Sequence, residues 1–171
     1  VSRLLGIDLG ERRIGLAVAD DDGGRAIPLA TLRRGPTAAA DGSALARVVA
    51  EQGIAELIVG LPLEASGAEG RQAAITRDWV AAIELQVGRP IALRDERLSS
   101  HLAEGRLGPM KRGRSGGPPT RTQRERYRER VDREAAAIIL QDELDARRRG
   151  EPPLRAAPRT SRDEPPTETP A

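Results

Sequence analysis

Apolar positions change their period along this chain, and the change outlines the fold. In the first third they form short, nearly continuous or alternating runs. Arg3–Leu9 and Arg12–Asp20 each read as strands, joined by the tight-turn pair Gly10-Glu11. Gly15-Leu16-Ala17-Val18 suits a strand buried on both faces, and Ala26–Leu32 makes a third strand after Asp21-Asp22-Gly23-Gly24. Three strands in succession imply an antiparallel meander. The period then becomes helical. Ala38–Gln52 places Leu45, Val48 and Val49 at helical spacing, with Asp41 or Ser43 as its cap and Gly53 as its stop. Glu56–Leu61 is a short apolar strand ended by Pro62. A second helix is expected from about Glu69 to Val87, with Ile75, Trp79, Ala82 and Ile83 on one face. Gly88-Arg89-Pro90 breaks it before a fifth strand, Ile91–Arg94. A short helix follows Ser99, a Gly- and Pro-rich loop spans Gly105 to Thr120, and a last helix runs from about Gln123 to Ala146.

The sum, β-β-β-α-β-α-β-α-α, predicts an α/β fold. Antiparallel strands come first, and right-handed crossovers then add parallel ones. The result is a mixed five-stranded sheet with helices on both faces. That is also the element order of the ribonuclease H-like fold, although order alone does not establish a fold.

Composition adds a boundary. Residues 1–148 read as one domain, whereas 149–171 hold six of the thirteen prolines and a single large apolar residue, Leu154. Such a segment cannot offset its ordering entropy by burial and is expected to be a disordered tail. There is no cysteine, which excludes disulfides, thiolate nucleophiles and sulfur-bound zinc. No apolar run approaches the roughly 18 residues of a membrane span, and a soluble cytoplasmic protein is expected. Net charge is +2, unevenly spread: from Arg106 to Arg133 ten basic residues face three acids, so the remainder is negative. A basic block of this kind fits a polyanionic partner, or else a solvated helix face and loop.

Three carboxylates stand out against this background. Asp8 lies inside the apolar strand Leu4-Leu5-Gly6-Ile7-Asp8-Leu9-Gly10, where a charge is costly unless paired, hydrogen-bonded or metal-bound. The plainer alternative is a strand-end residue capping the Gly10 turn. Asp95 and Glu96 close the fifth strand, at the carboxyl end where ligands gather in open α/β sheets, and spacing does not choose between them. Asp132 opens the apolar part of the last helix and shares a face with Ala135, Ala136 and Ile139. That phase could deliver it to the same sheet end as Asp8 and Glu96. Clustered carboxylates raise one another's pKa unless a cation intervenes, and hard oxygen donors without Cys or paired His favour Mg²⁺ or Mn²⁺. Such ions could activate water and stabilise the leaving oxygen of a phosphodiester.

Four stretches in order carry a family resemblance. They are Gly6-Ile7-Asp8-Leu9-Gly10 through Arg13-Ile14-Gly15-Leu16-Ala17-Val18; Ile58-Val59-Gly60-Leu61-Pro62-Leu63 with Gly67; Asp95-Glu96-Arg97-Leu98-Ser99; and Val131-Asp132 with Ala135-Ala136 and Ile138-Ile139-Leu140. From Leu4 to Leu144 the chain resembles the YqgF family of pre-16S rRNA nucleases and Holliday-junction-resolvase-like proteins. The resemblance implies a ribonuclease H-like fold, a divalent metal and hydrolysis near the 5′ end of immature small-subunit rRNA. It also implies Asp8, Glu96 and Asp132 as the catalytic and metal-binding acids, and selects Glu96 over Asp95. The sequence departs from the family in two places: Ser99-Ser100 stands where a Thr is usual, and the Pro-rich tail is an addition. The fourth strand ends in Gly60-Leu61-Pro62, without the carboxylate that related resolvases place there.

Around the acids, Arg12, Arg13 and Arg97 are candidate phosphate ligands, and Lys111, Arg112 and Arg114 candidate nucleic-acid contacts. Arg12, Arg13 and Arg97 could equally pair with nearby acids. His101 reads as a surface helix residue, Trp79 as core, and Tyr127 as too isolated to stack bases. The leading expectation is an endonuclease acting on precursor rRNA, as a monomer or homodimer. A resolvase of branched DNA and a noncatalytic RNA-binding assembly factor are the alternatives. An actin-like phosphotransferase ranks last, because the chain ahead of the tail supplies one lobe and that architecture needs two.

Overall fold

Successive residues of a strand point to opposite faces, and in this chain the two faces receive different kinds of side chain. The structure, a computed structural model, describes residues 1–96, 99–113 and 115–154. These form strands β1 (Arg3–Leu9), β2 (Arg13–Asp20), β3 (Ile27–Arg33), β4 (Ile54–Leu61) and β5 (Ile91–Asp95). They also form helices α1 (Ala38–Gln52), α2 (Arg71–Val87), α3 (Ser99–Leu107) and α4 (Arg121–Arg148). The sheet order is β3-β2-β1-β4-β5. The β1–β2 and β2–β3 pairs are antiparallel, and β1–β4 and β4–β5 are parallel. The expected mixed sheet, with its meander, its crossovers and helices on both faces, is the observed one.

On one face Leu5, Ile7, Leu16, Leu57 and Val59 meet Leu45 and Val49 of α1 and Trp79 and Ile83 of α2. The other face is lined by smaller residues, among them Ala17, Ala19 and Ala92, and packs on Ala136, Ile139 and Leu140 of α4. Glycines bring α4 closer still. A Cβ on Gly15 would lie 2.0 Å from the carbonyl oxygen of Asp132, and one on Gly6 would lie 2.7 Å from that of Ala136. The C-terminal part of α4 is tied to the sheet by charge. Arg147 Nε donates to the fully buried Glu143 at 2.7 Å, and its Nη2 to Glu56 of β4 at 2.7 Å.

Several local expectations need correction. The cap of α1 is Thr37, whose hydroxyl accepts from the Ala40 amide; neither Asp41 nor Ser43 serves. Ile75 and Ala82 of α2 face solvent, and its buried stripe is Ala73, Thr76, Trp79, Val80, Ile83 and Val87. Trp79 is core, as expected. Helix α3 takes the first residues assigned to the loop. Helix α4 begins at Arg121, behind a Thr120–Gln123 capping box. Beyond the expected boundary at 148, Leu154 exchanges two 3.1 Å backbone hydrogen bonds with Leu93 of β5. The rest of the proposed tail, 155–171, lies outside the described residues.

Candidate active site

Strand alternation decides where Asp8 points. Leu5 and Ile7 face α1 and α2, so Leu4, Gly6 and Asp8 face α4. Asp8 stands at the carboxyl end of β1, opposite Gly15 of β2, and is buried at 7% exposure. Glu96 directly follows β5, and its amide donates to Leu61 O of β4 at 3.1 Å. Its carboxyl folds over Gly60, where a Cβ would come within 2.3 Å of Oε2 and 2.6 Å of Ile139 Cδ1. Glycine at position 60 therefore makes the space that Glu96 occupies.

The Glu96 carboxyl donates a hydrogen bond to the Asp8 carboxylate, and Glu96 Oε1 accepts from Ser99 Oγ at 3.1 Å. Burial pushes Glu96 well above the ordinary carboxyl range, and the Asp8 charge adds to the rise. Asp8 is raised as well, by burial first and then by the charge of Asp132. Two carboxyls sharing one proton in a dry site is the expected result when like charges cannot both ionise.

Asp132 arrives at the same sheet end but does not join the pair. Its backbone lies on Gly15, while its Oδ2 accepts from Arg13 Nε of β2 at 2.5 Å. Among the described residues, no three acids or histidines are grouped closely enough to hold a metal together. In this structure Asp8 and Glu96 touch, and Asp132, close enough for its charge to act on Asp8, is paired with Arg13. An arginine beside an acid at a sheet end is legible in sequence. The partnership of residues 119 positions apart is not.

Of the proposed phosphate ligands, Arg13 is engaged with Asp132, and Arg12 is exposed on the β1–β2 turn. Lys111 and Arg112 are exposed on the α3–α4 loop, with Arg112 Nη1 3.5 Å from Gly116 O. Arg97 and Arg114 lie outside the described residues. His101 is exposed on α3, and Tyr127 donates its hydroxyl to Gly108 O at 2.9 Å. The residue passed over in the sequence as a site member is Ser99. A hydroxyl three positions after a strand-end acid, opening the next helix, was the available signal.

A buried acid at the end of β1 is met by another from the end of β5, two strands away, on a mixed five-stranded sheet with the ribonuclease H-like fold. The fold is similar to that of Thermus thermophilus RuvC, with a TM-score of 0.51 at 16% identity, covering 89% of this chain and 99% of that one. It is also similar to T. thermophilus RuvC in complex with Holliday junction substrate, with a TM-score of 0.50 at 18% identity, covering 90% and 100%. A family model described as "RuvX: Holliday junction resolvase" matches residues 2–146, and the chain belongs to that family. Curated relatives named "Putative pre-16S rRNA nuclease" include one from Anaeromyxobacter sp. (strain K), 45% identical over 145 residues, 85% of this chain and 98% of the relative. Another, from Chloroflexus aggregans, is 41% identical over 145 residues, 85% of this chain and 94% of the relative.

Proposed function

We propose that this protein is an endonuclease that hydrolyses phosphodiester bonds in nucleic acid, with precursor 16S rRNA as its substrate. The observation that carries the reading is the buried Asp8–Glu96 pair at the carboxyl ends of parallel strands. Family membership and the relatives' names support it, and the RuvC likeness supports the fold on which it rests.

The donor chemistry fits a hard divalent cation, Mg²⁺ or Mn²⁺. Asp8 and Glu96 offer buried carboxylate oxygens held together only by a proton, and a cation can take the place of that proton. Asp8 and Glu96 would hold the ion, and Asp132 would contribute once its pairing with Arg13 is exchanged. Bound there, the ion would supply charge neutralisation and a water of lowered pKa. The chain's own residues do the rest. Ser99 fixes the Glu96 rotamer by donating to Oε1. Arg13 lies next to the acids, where a phosphate would compete with Asp132 for its guanidinium. Arg12, Lys111 and Arg112 are exposed cations suited to backbone phosphates, binding without regard to sequence. No described helix is long and apolar enough to cross a membrane, which accords with the cytoplasmic location we assign.

The family model's description favours a second substrate, branched DNA. The deciding experiment compares Mn²⁺-dependent cutting of precursor rRNA and of a four-way DNA junction by the wild type and Asp8→Asn. Cutting of precursor rRNA that Asp8→Asn abolishes supports the reading. Junction cutting alone transfers it to DNA, and equal rates in the two proteins sink the acid-pair mechanism.

A further inference from the structure

Toward the C-terminus of α4 from Asp132 is a cavity of about 330 Å³, between the β2–β3 turn and the α3 and α4 helices. Arg25, Arg106 and Arg148 line it against one acid, Asp145. Two of these arginines are already partnered: Arg106 bonds Glu134 at 3.1 Å and Arg148 bonds Asp145 at 2.9 Å. Arg25 makes no side-chain hydrogen bond or ion pair among the described residues. Gly23 and Gly24 of the β2–β3 turn form the same wall. That wall is anchored, because Gln141 Oε1 of α4 accepts from the Ala26 amide at 3.0 Å.

An unpaired guanidinium in a cavity lined by two more is the chemistry that binds a phosphate group. Position says which phosphate. Gln141 and Arg148 stand nine and sixteen residues after Asp132. At about 1.5 Å per residue this is roughly 14 and 24 Å along the helix. One strand of a duplex advances about 3.4 Å per base pair, so the interval spans about four to seven nucleotides. We propose that this cavity holds a backbone phosphate of the nucleic-acid substrate about four to seven nucleotides from the bond that is cut. The inference rests on the nuclease reading above and assigns it a second, remote contact.

The full chain can be tested in EDTA, with binding to a labelled RNA hairpin measured across a salt series. Arg25→Ala should lower the slope of log K against log salt by about 0.9, the value of one phosphate contact, and weaken binding roughly threefold at moderate salt. Arg47→Ala, on the opposite face of the sheet in α1, removes the same charge and should leave the slope unchanged. Because the chain has no cysteine, Arg25→Cys in an Asp8→Asn background gives a unique attachment point for a photo-crosslinker. Its crosslinks should fall four to seven nucleotides from the wild-type cut. Equal slopes for Arg25→Ala and wild type, or crosslinks scattered along the RNA, overturn the proposal while wild-type cutting keeps the nuclease reading alive. Inorganic phosphate that competes at the cavity as strongly as the hairpin makes it a small-anion site and also overturns the proposal. A wild type that neither binds nor cuts nucleic acid removes both readings together.

Discussion

Among the described residues each face of the sheet buries one aspartate, and the two are treated in opposite ways. Asp41, on the α1–α2 side, is 2% exposed and fully answered. It accepts from Arg34 Nε at 2.7 Å, from the Gly35 amide at 2.7 Å and from Trp79 Nε1 at 3.0 Å. Asp8, on the α4 side, is 7% exposed and is surrounded by acids, with Glu96 in contact and Asp132 nearby. Two buried aspartates thus differ in the sign of their neighbours, and under the function proposed above it is that sign, not burial, that separates them. The packing differs in parallel. The Asp41 face is filled by Leu, Ile, Val and Trp, whereas the Asp8 face is thinned by Gly and Ala so that α4 can approach.

The sharpest way to break this contrast is to neutralise each aspartate. Asp8→Asn should lower Mn²⁺-dependent cleavage by about a thousandfold, roughly 4 kcal/mol in barrier, yet leave the apo melting temperature equal or higher. Asp41→Ala should do the reverse. It leaves Arg34 Nε, the Gly35 amide and Trp79 Nε1 without their acceptor and costs about 3–5 kcal/mol, a fall in Tm of roughly 10 °C, while the folded fraction still cuts. A large loss of apo Tm in Asp8→Asn would make the two aspartates alike and end the comparison.

Packing offers a smaller effect of the same form. Leu57→Ala, on the large-residue face, should cost about 2–5 kcal/mol of stability and spare activity in the folded protein. Gly15→Ala should cost about 1–3 kcal/mol by overpacking and also reduce cleavage, because the new Cβ meets the backbone of Asp132. Urea titrations paired with cleavage rates separate the two. Unimpaired cutting by Gly15→Ala would show that the close seating of α4 is irrelevant to the site.

The smallest effect is in pH. Asp8 and Glu96 are both held above their ordinary values, so above the usual carboxyl range the native state keeps protons that the unfolded chain has lost. Stability of the metal-free protein should then fall as pH rises from the ordinary carboxyl range through the raised one. Glu96→Gln should flatten that slope, as read by urea midpoints across pH. An unchanged slope would mean the pair does not share a proton.

Much of the fold was legible because strands and helices impose different periods, and the shift from one to the other near residue 38 is plain. The phase of α2 departs from the expected one for a physical reason. Ile75 and Ala82 are apolar, but α2 packs against α1 along the stripe from Ala73 to Val87, and that stripe includes Thr76. Asp41 looked like a cap because it is an early acid in a helix; its true partners are the turn before that helix and Trp79, 38 residues later. Asp8 was exposed by its own setting, a charge in an apolar strand. The Asp132–Arg13 pairing joins the last helix to the second strand, and local sequence carries no record of it.

The sheet order has a mechanical consequence. Asp8 is set in β1, which is laced by ladders on both sides, to β2 and to β4. Glu96 follows the end of β5, tied to β4 by its amide, and the outer edge of β5 is held, among the described residues, by one bridge at Leu154. The acid pair is thus a vise with one fixed jaw and one compliant jaw. If the site takes the cation proposed above, widening between the carboxyls would be absorbed at Glu96, while Asp8 would keep the frame of reference.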